Sequence, residues 1–204
     1  ILSDNAERIL MLTETVLMQI VAIATIEHLR RRHRRSCSES FSIEPLSAGR
    51  VVAQGVLFYV AMMPPIILAA LATNLILRNF GVPVESQDIL KGFADPMAPY
   101  WFRAYLIILA VAFAPVVEEL VFRGIALPIV ARRASPAAAV VVVSLLFAIV
   151  HGHLPAMAPL FVVAVCLSLG YICSGTVLVP MIMHALFNTI NLIIFHLSYD
   201  ISQL

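Results

Sequence analysis

Three charged side chains interrupt a long apolar stretch of this sequence. Glu118, Glu119 and Arg123 are the only charged residues between Tyr105 and Val130. A charged group at the centre of a membrane-spanning helix costs about 2.5–3.5 kcal/mol on insertion scales. Charged residues in such positions are rare and usually mark a functional site. These three residues are therefore the first candidates for chemistry.

The two glutamates are expected to have different partners. Glu119 and Arg123 are four residues apart with the acid first, so they share a helix face in the better order for an ion pair. A buried ion pair that only fixes helix packing is the simpler interpretation of these two. Glu118 points about 100° away from Glu119 on the same helix. It has no partner there, which makes it a candidate general base.

Two later apolar runs carry further polar residues at helical spacing. Phe147 and His151 are four residues apart, as are His184 and Asn188. A single histidine or asparagine in a membrane helix most often forms a hydrogen bond between helices. His153 lies only two residues beyond His151, faces a different direction and is not assigned a role.

Taken together, these residue types suit hydrolysis. Glu118 would deprotonate a water molecule, while a histidine and Asn188 would bind the oxyanion that develops on a scissile carbonyl. Alternatively, His151 and His184 together with a carboxylate would bind a divalent metal, and zinc fits two histidines, one acid and an open fourth position. The H-E-x-x-H motif of soluble zinc proteases is absent. Spacing alone leaves both alternatives open.

The composition indicates a membrane protein. The chain is 61% hydrophobic and 12% charged, about half the charged fraction of a typical soluble domain. We predict an all-α fold, a polytopic transmembrane helical bundle forming one membrane domain over residues 1–204. Its six candidate segments are about 8–29, 51–77, 103–131, 136–153, 157–173 and 176–197. The first is the most polar and would also suit an interfacial position, and Pro64 and Pro65 are expected to kink the second.

The arginines predict the orientation. Five of them surround His33, and Arg132 and Arg133 follow the third segment. We read these clusters as cytoplasmic anchors beside apolar spans rather than as a nucleic-acid site, so loops 30–50 and 131–136 are predicted to be cytoplasmic. Glu118 and His151 each lie about 16 residues, or ~24 Å of helix, from the turn between their helices. They are therefore expected at the same depth.

The motifs resemble those of the CAAX protease and bacteriocin-processing family, also called the CPBP or abortive-infection family. Its three motifs are E-E-x-x-x-R, F-x-x-x-H and H-x-x-x-N on successive helices. Here they read Glu118-Glu119 with Arg123, Phe147 with His151, and His184 with Asn188, in the same order. The resemblance covers roughly residues 100–197, which we predict to be the catalytic core.

This resemblance implies an intramembrane endopeptidase, and a metalloprotease with zinc if the histidines hold a metal. It implies that Glu118 activates water, that Arg123 pairs with Glu119, and that His151, His184 and Asn188 stabilise the oxyanion or, for the histidines, bind the metal. The expected partners are membrane lipids and a peptide or protein substrate, prenylated or otherwise anchored in the membrane, with no nucleic acid. The expected location is a prokaryotic plasma membrane, with the site open to the cytoplasm.

Two other functions fit parts of the pattern. A proton-coupled transporter also uses glutamates and histidines within the membrane. However, the polar groups here cluster at one depth, and no inverted repeat is evident. A non-catalytic scaffold or bacteriocin-immunity protein would keep the helices without using the chemistry.

Overall fold

The computed structural model describes residues 4–33, 47–82 and 98–202, and these residues form helices joined by short turns, with no strand among them. The prediction of an all-α fold is confirmed, and each of the six predicted segments corresponds to one helix. The helices are α1 Asp4–His33, α2 Ala48–Asn79, α3 Tyr100–Ala131, α4 Pro136–Val150, α5 Leu154–Ser174 and α6 Leu178–Ser202.

Four of these helices are long and apolar enough to cross a membrane: α2, α3, α5 and the Leu178–Ser198 part of α6. Many large aliphatic side chains on the outside of the bundle are exposed, among them Leu57, Leu68 and Leu75, each more than 60% accessible. A continuous apolar exterior of this kind requires lipid around it. The chain is an integral membrane protein.

The helices α2, α5 and α6 pack around the largest cluster of buried apolar side chains. Met62 from α2, Val163 and Leu167 from α5, and Val179 and Met183 from α6 are all at most 2% exposed. Since His184 directly follows Met183 in sequence, this cluster fixes the helix that carries one of the candidate histidines.

The boundaries of α4 follow from local sequence signals. The Ser135 side chain accepts a hydrogen bond from the Ala138 N–H at 3.2 Å and caps the start of the helix. The helix ends at Val150, because Gly152 adopts a left-handed conformation with φ of 61°. The next helix begins at Leu154 rather than near 157, since Pro155 fits its first turn without losing a hydrogen bond.

Helix α2 continues through Pro64 and Pro65 as one helix of 32 residues, and the kink expected at these prolines stays a prediction. One other predicted boundary differs from the structure. Helix α1 extends to His33, so the arginines before that residue belong to its last turns and not to a loop. Residues 34–46, which include the rest of the arginine cluster, lie outside the described part of the chain.

Helix α3 is not a regular α-helix. Its α-helical parts, Tyr100–Ile108, Ala114–Glu119 and Leu127–Ala131, are separated by two π-helical segments, Leu109–Phe113 and Leu120–Ala126. Each π segment widens the helix and changes the direction in which later side chains point, and such segments are frequent at functional sites. The two glutamates lie on the short α segment between them.

Candidate active site

Glu118 faces both candidate histidines. Its Oε2 atom lies 4.0 Å from Nε2 of His151 and 3.9 Å from Nε2 of His184. The three side chains come from α3, α4 and α6, so the structure joins residues that are 33 and 66 positions apart in sequence. The meeting of Glu118 and His151 was expected from their equal distances to the turn between their helices.

The ring of His151 is oriented by its own helix. Its Nδ1 atom lies 2.7 Å from the carbonyl oxygen of Phe147, one turn earlier. A carbonyl oxygen only accepts hydrogen bonds, so Nδ1 carries the proton and donates it. In the neutral ring, Nε2 is then an acceptor, and it is this atom that faces Glu118.

The ring of His184 is oriented in the same way by a carboxylate. Its Nδ1 atom lies 2.9 Å from Oε1 of Glu119. The same oxygen accepts a hydrogen bond from the Arg123 guanidinium at 2.9 Å, which fixes Glu119 as the ionised partner. Nδ1 of His184 therefore donates, and its Nε2 also faces Glu118 as an acceptor in the neutral ring.

Arg123 connects the site to a fourth helix, α5. Its second terminal nitrogen donates to the carbonyl oxygen of Ala164 in α5 at 2.8 Å. Both Arg123 and Glu119 are fully buried, which is tolerable only because the charges are paired and hydrogen-bonded. The predicted pair of Glu119 and Arg123 therefore forms, and it also determines which nitrogen of His184 carries the proton.

The Phe147 ring lies against the side chains of His151, His184 and Arg123. Its ring centroid lies 4.5 Å from that of His151 and 5.9 Å from that of His184. The Arg123 guanidinium carbon lies 5.1 Å from it, within the range of a cation–π contact. The Phe122 ring packs against its edge at 5.0 Å. Since Phe147 is fully buried, it excludes water from the network on this side.

Asn188 lies one helical turn beyond His184, and its side chain contacts the backbone of α3. Its Nδ2 atom donates to the carbonyl oxygen of Ala110 at 2.7 Å. Ala110 is eight residues before Glu118, about 12 Å along a helix. The oxyanion role predicted for Asn188 stays a prediction.

The geometry suits activation of a water molecule. Among the described residues, nothing donates a hydrogen bond to the buried Oε2 atom of Glu118. Separations of 3.9 and 4.0 Å from the two Nε2 atoms are too long for direct hydrogen bonds, but one water can bridge atoms at such distances. That water would donate to acceptors on both sides. A buried acceptor left open in this way calls for a solvent or catalytic explanation.

The same atoms are suitable metal ligands by type but are not spaced as a preformed site. Two imidazole nitrogens and one carboxylate oxygen are a donor set that zinc accepts. Ligands at about 2.0–2.2 Å in a tetrahedral site are roughly 3.4 Å apart, whereas the observed separations are 3.9 and 4.0 Å. Within the ranges that the structure describes, no group of three or more His, Cys, Asp or Glu side chains is placed to hold a metal. A shift of about half an ångström by the donors would be needed.

The side-chain pattern of the sequence did not indicate two hydrogen-bond acceptors of the site, the backbone carbonyls of Ala164 and Ala110. Arg123 and Asn188 donate to these atoms. Phe122 was also not singled out, although it precedes Arg123 directly and its ring packs on Phe147.

A comparison with known protein families agrees with this geometry. Residues 99–190 match the family model described as type II CAAX prenyl endopeptidase Rce1-like. No curated protein and no solved structure matches the chain. The matched segment contains both glutamates, Arg123, the two histidines and Asn188, and its extent agrees with the resemblance seen in the motifs. Residues 99–190 are therefore similar to the Rce1-like family of type II CAAX prenyl endopeptidases.

Proposed function

We propose that this protein is an intramembrane endopeptidase in which Glu118 activates the attacking water. The observation that supports the proposal most strongly is the position of Oε2 of Glu118, within 4.0 Å of Nε2 of both His151 and His184. A base and two oriented imidazoles around one small volume suit the hydrolysis of a peptide bond.

The proposed reaction begins with water bound between Glu118 and the histidines. Glu118 takes one proton as the water oxygen forms a bond to the scissile carbonyl carbon. The carbonyl oxygen becomes an oxyanion in the tetrahedral intermediate. Collapse of the intermediate breaks the carbon–nitrogen bond, and Glu118 returns its proton to the leaving amine. The products are a carboxylic acid and an amine, so the net change is the addition of one water molecule.

The neighbouring groups position the reactive atoms. Glu119 holds His184 with Nδ1 protonated, and the Phe147 carbonyl does the same for His151. Both rings therefore direct an acceptor nitrogen at the water, which donates one of its two protons to Glu118 and the other to one of the two histidines. Arg123 acts through Glu119, with which it forms a hydrogen bond, so it is a positioning residue.

Metal-assisted hydrolysis is a second candidate mechanism, and the two Nε2 acceptors favour it. Glu118, His151 and His184 would hold the ion, after the small adjustment that their spacing requires. A bound zinc would polarise the scissile carbonyl and lower the pKa of its water. The arrangement of Glu119 behind His184 also matches the carboxylate that commonly orients a metal-binding histidine.

The accessibility of the side chains suggests the direction of approach. The exposed fraction is 26% for His151, 16% for Glu118 and 5% for His184, while Glu119 is fully buried. We propose that water and the scissile bond reach Glu118 from the side of His151. The substrate is a peptide or protein anchored in the membrane, and the family match makes a prenylated cysteine near the cleaved bond the first chemistry to test. The arginine clusters favour access from the cytoplasm.

The test is cleavage of a fluorogenic peptide by the purified protein in detergent micelles. The peptide ends in a farnesylated cysteine followed by three residues, and a second peptide lacks the farnesyl group. Glu118→Gln is expected to lower kcat by about 10²–10⁴-fold, because the amide cannot accept the proton. Glu27→Gln is the matched control, since Glu27 lies on α1 and pairs with Arg31. A Glu118→Gln enzyme as active as the control would show that another group is the base.

The same assay distinguishes the remaining alternatives. If cleavage falls after treatment with a chelator and returns with Zn²⁺, the metal-assisted mechanism is supported. An undiminished rate in the chelator assigns water activation to Glu118 without an ion. If no peptide is cleaved, while proton or solute flux in liposomes depends on Glu118, the protein is a transporter.

A further inference from the structure

The first π segment of α3 leaves one carbonyl without a donor in its own backbone. In a regular α-helix, the N–H of Ala114 would bond to the carbonyl of Ala110. Here it bonds instead to Leu109, five residues back. With the same spacing of five residues, the N–H of residue 115 would donate to the carbonyl of Ala110. Residue 115 is proline, however, and has no N–H.

Asn188 supplies the missing donor from another helix. Its Nδ2 atom donates to the Ala110 oxygen at 2.7 Å, and the side chain is partly buried between α6 and α3. A buried backbone carbonyl without a hydrogen bond is strongly disfavoured, and more so in a membrane where water is scarce. The asparagine thus compensates for the proline at a distance of 73 residues in sequence.

We propose that Asn188 is a positioning residue that holds Glu118 in the direction of the histidines by stabilising this π segment; the inference rests on the proposed role of Glu118 as the base. The segment carrying Glu118, Ala114–Glu119, begins where the π segment ends. If the π turn reverted to a regular α turn, every later side chain would rotate by about 100° and shift by ~1.5 Å relative to the first part of the helix. Glu118 would then face away from His151 and His184.

This role is separable from direct contact with the substrate. An amide nitrogen carries two hydrogens, so the bond to Ala110 leaves one for an oxyanion. A positioning role requires only the bond to the backbone. The Asn188 side chain should therefore become unnecessary when residue 115 itself provides a backbone N–H.

The experiment is a double-substitution cycle with Asn188→Ala and Pro115→Ala, using the full-length protein and the farnesylated peptide. Asn188→Ala alone is expected to lower kcat by about 10²-fold with little change in KM, as for a misplaced catalytic group. Pro115→Ala restores a backbone N–H, so the double variant should recover most of that loss. Asn191→Ala is the matched control, because Asn191 lies in the same helix and bonds to Phe187 of its own turn.

Hydrogen exchange of residues 109–120, measured without substrate, provides a second readout. Asn188→Ala should raise exchange in this segment, and the Asn191→Ala control should not. This measurement also decides the case if Pro115→Ala by itself is inactive or does not fold. The inference is overturned if Asn188→Ala keeps full activity. It is also overturned if the loss of kcat is the same in both backgrounds while exchange matches the wild type, since Asn188 would then act on the substrate. If the wild-type protein does not cleave the peptide, the proposed function is refuted. Hydrogen exchange still tests whether the bond from Asn188 to Ala110 stabilises the π segment.

Discussion

Arg123 is a fully buried cation whose partners lie on three helices. Glu119 accepts from it within α3, the Ala164 carbonyl accepts from it in α5, and the Phe147 ring in α4 lies beside it. A buried pair of charges adds little net stability compared with a well-packed apolar pair, but removal of one partner leaves an uncompensated charge. Its value here lies in the orientation that Glu119 gives to His184.

We therefore expect stability and activity to respond differently to substitutions in this pair. Arg123→Met alone should lower the free energy of unfolding by about 3–5 kcal/mol, because Glu119 stays buried without its counterion. The double variant with Glu119→Leu should recover much of this stability. It should remain poorly active, since Nδ1 of His184 has then lost its acceptor. Thermal unfolding in detergent and peptide cleavage measure the two effects.

The matched control for this pair is Arg132→Met. Arg132 lies in the exposed turn after α3, so its loss should change the melting temperature very little. If the double variant regained activity together with stability, the orientation of His184 by Glu119 would be unimportant. The ion pair of Glu119 and Arg123 would then only fix the packing of the helices, which is the simpler interpretation given in the sequence analysis.

The sequence allowed the meeting of the site residues to be predicted, but not all of their partners. Glu118 and His151 lie at equal distances from the turn between their helices, and helical rise converts equal counts into equal depth. The ion pair of Glu119 and Arg123 followed from a spacing of four residues. The acceptors at Ala164 and Ala110 are backbone atoms, which every residue has. No pattern of side chains could therefore single them out.

At the scale of the helices, α6 approaches its neighbours closely because glycines face it. A Cβ atom added at Gly55 of α2 would lie 2.5 Å from Cγ2 and 2.7 Å from Cβ of Ile182. One added at Gly170 of α5 would lie 2.6 Å from the sulfur of Met183. Small residues commonly permit such approaches between membrane helices. Ile182 and Met183 immediately precede His184, so these contacts set the position of that histidine.

The two glycines should differ in their tolerance of alanine. Gly55→Ala is expected to destabilise the protein by about 1–3 kcal/mol and to lower kcat, because the branched Ile182 side chain is contacted close to the backbone. Gly170→Ala should cost less, since the end of a methionine side chain can move aside. Gly49→Ala is the control, as nothing lies within 4 Å of the added atom. Equal effects at all three positions would contradict this account.

The positions of the helices were predictable from their apolar runs, but the π segments of α3 were not. Runs of apolar residues and the proline and glycine signals around Ser135 and Gly152 place helix ends to within a few residues. A π segment differs from an α-helix only in which carbonyl each N–H selects. In the first π segment, that choice depends on packing against α6 and on Asn188, which lies far away in sequence.

At the scale of the whole molecule, the length of α4 explains how His151 lies within the bundle. Its fifteen residues rise about 22 Å, less than the ~30 Å thickness of the hydrocarbon core. A helix that starts at one interface therefore ends before it reaches the other. The left-handed Gly152 then reverses the chain into α5. His151, at this reversal, can face Glu118 and still be reached by water.

The orientation of the bundle can be tested with two single cysteines. Arg132 and Arg133 follow α3, and lysines and arginines collect on the cytoplasmic side of membrane proteins. Because α3 crosses the membrane between them, Phe80 at the end of α2 and Ala134 after α3 should lie on opposite sides. Phe80→Cys should react with an impermeant maleimide in intact cells. Ala134→Cys should react only after the cells are permeabilised.

The native cysteines must first be replaced by alanine, and this cysteine-free protein is the control for background labelling. Phe80 is 80% exposed, so a failure to label would reflect its side of the membrane and not burial. The reverse pattern would place the Arg132 turn outside and would contradict access to the site from the cytoplasm. Labelling of both positions from one side would mean that α3 does not cross the membrane. We do not expect this result, because the 32 largely apolar residues of α3 would then lack a lipid environment.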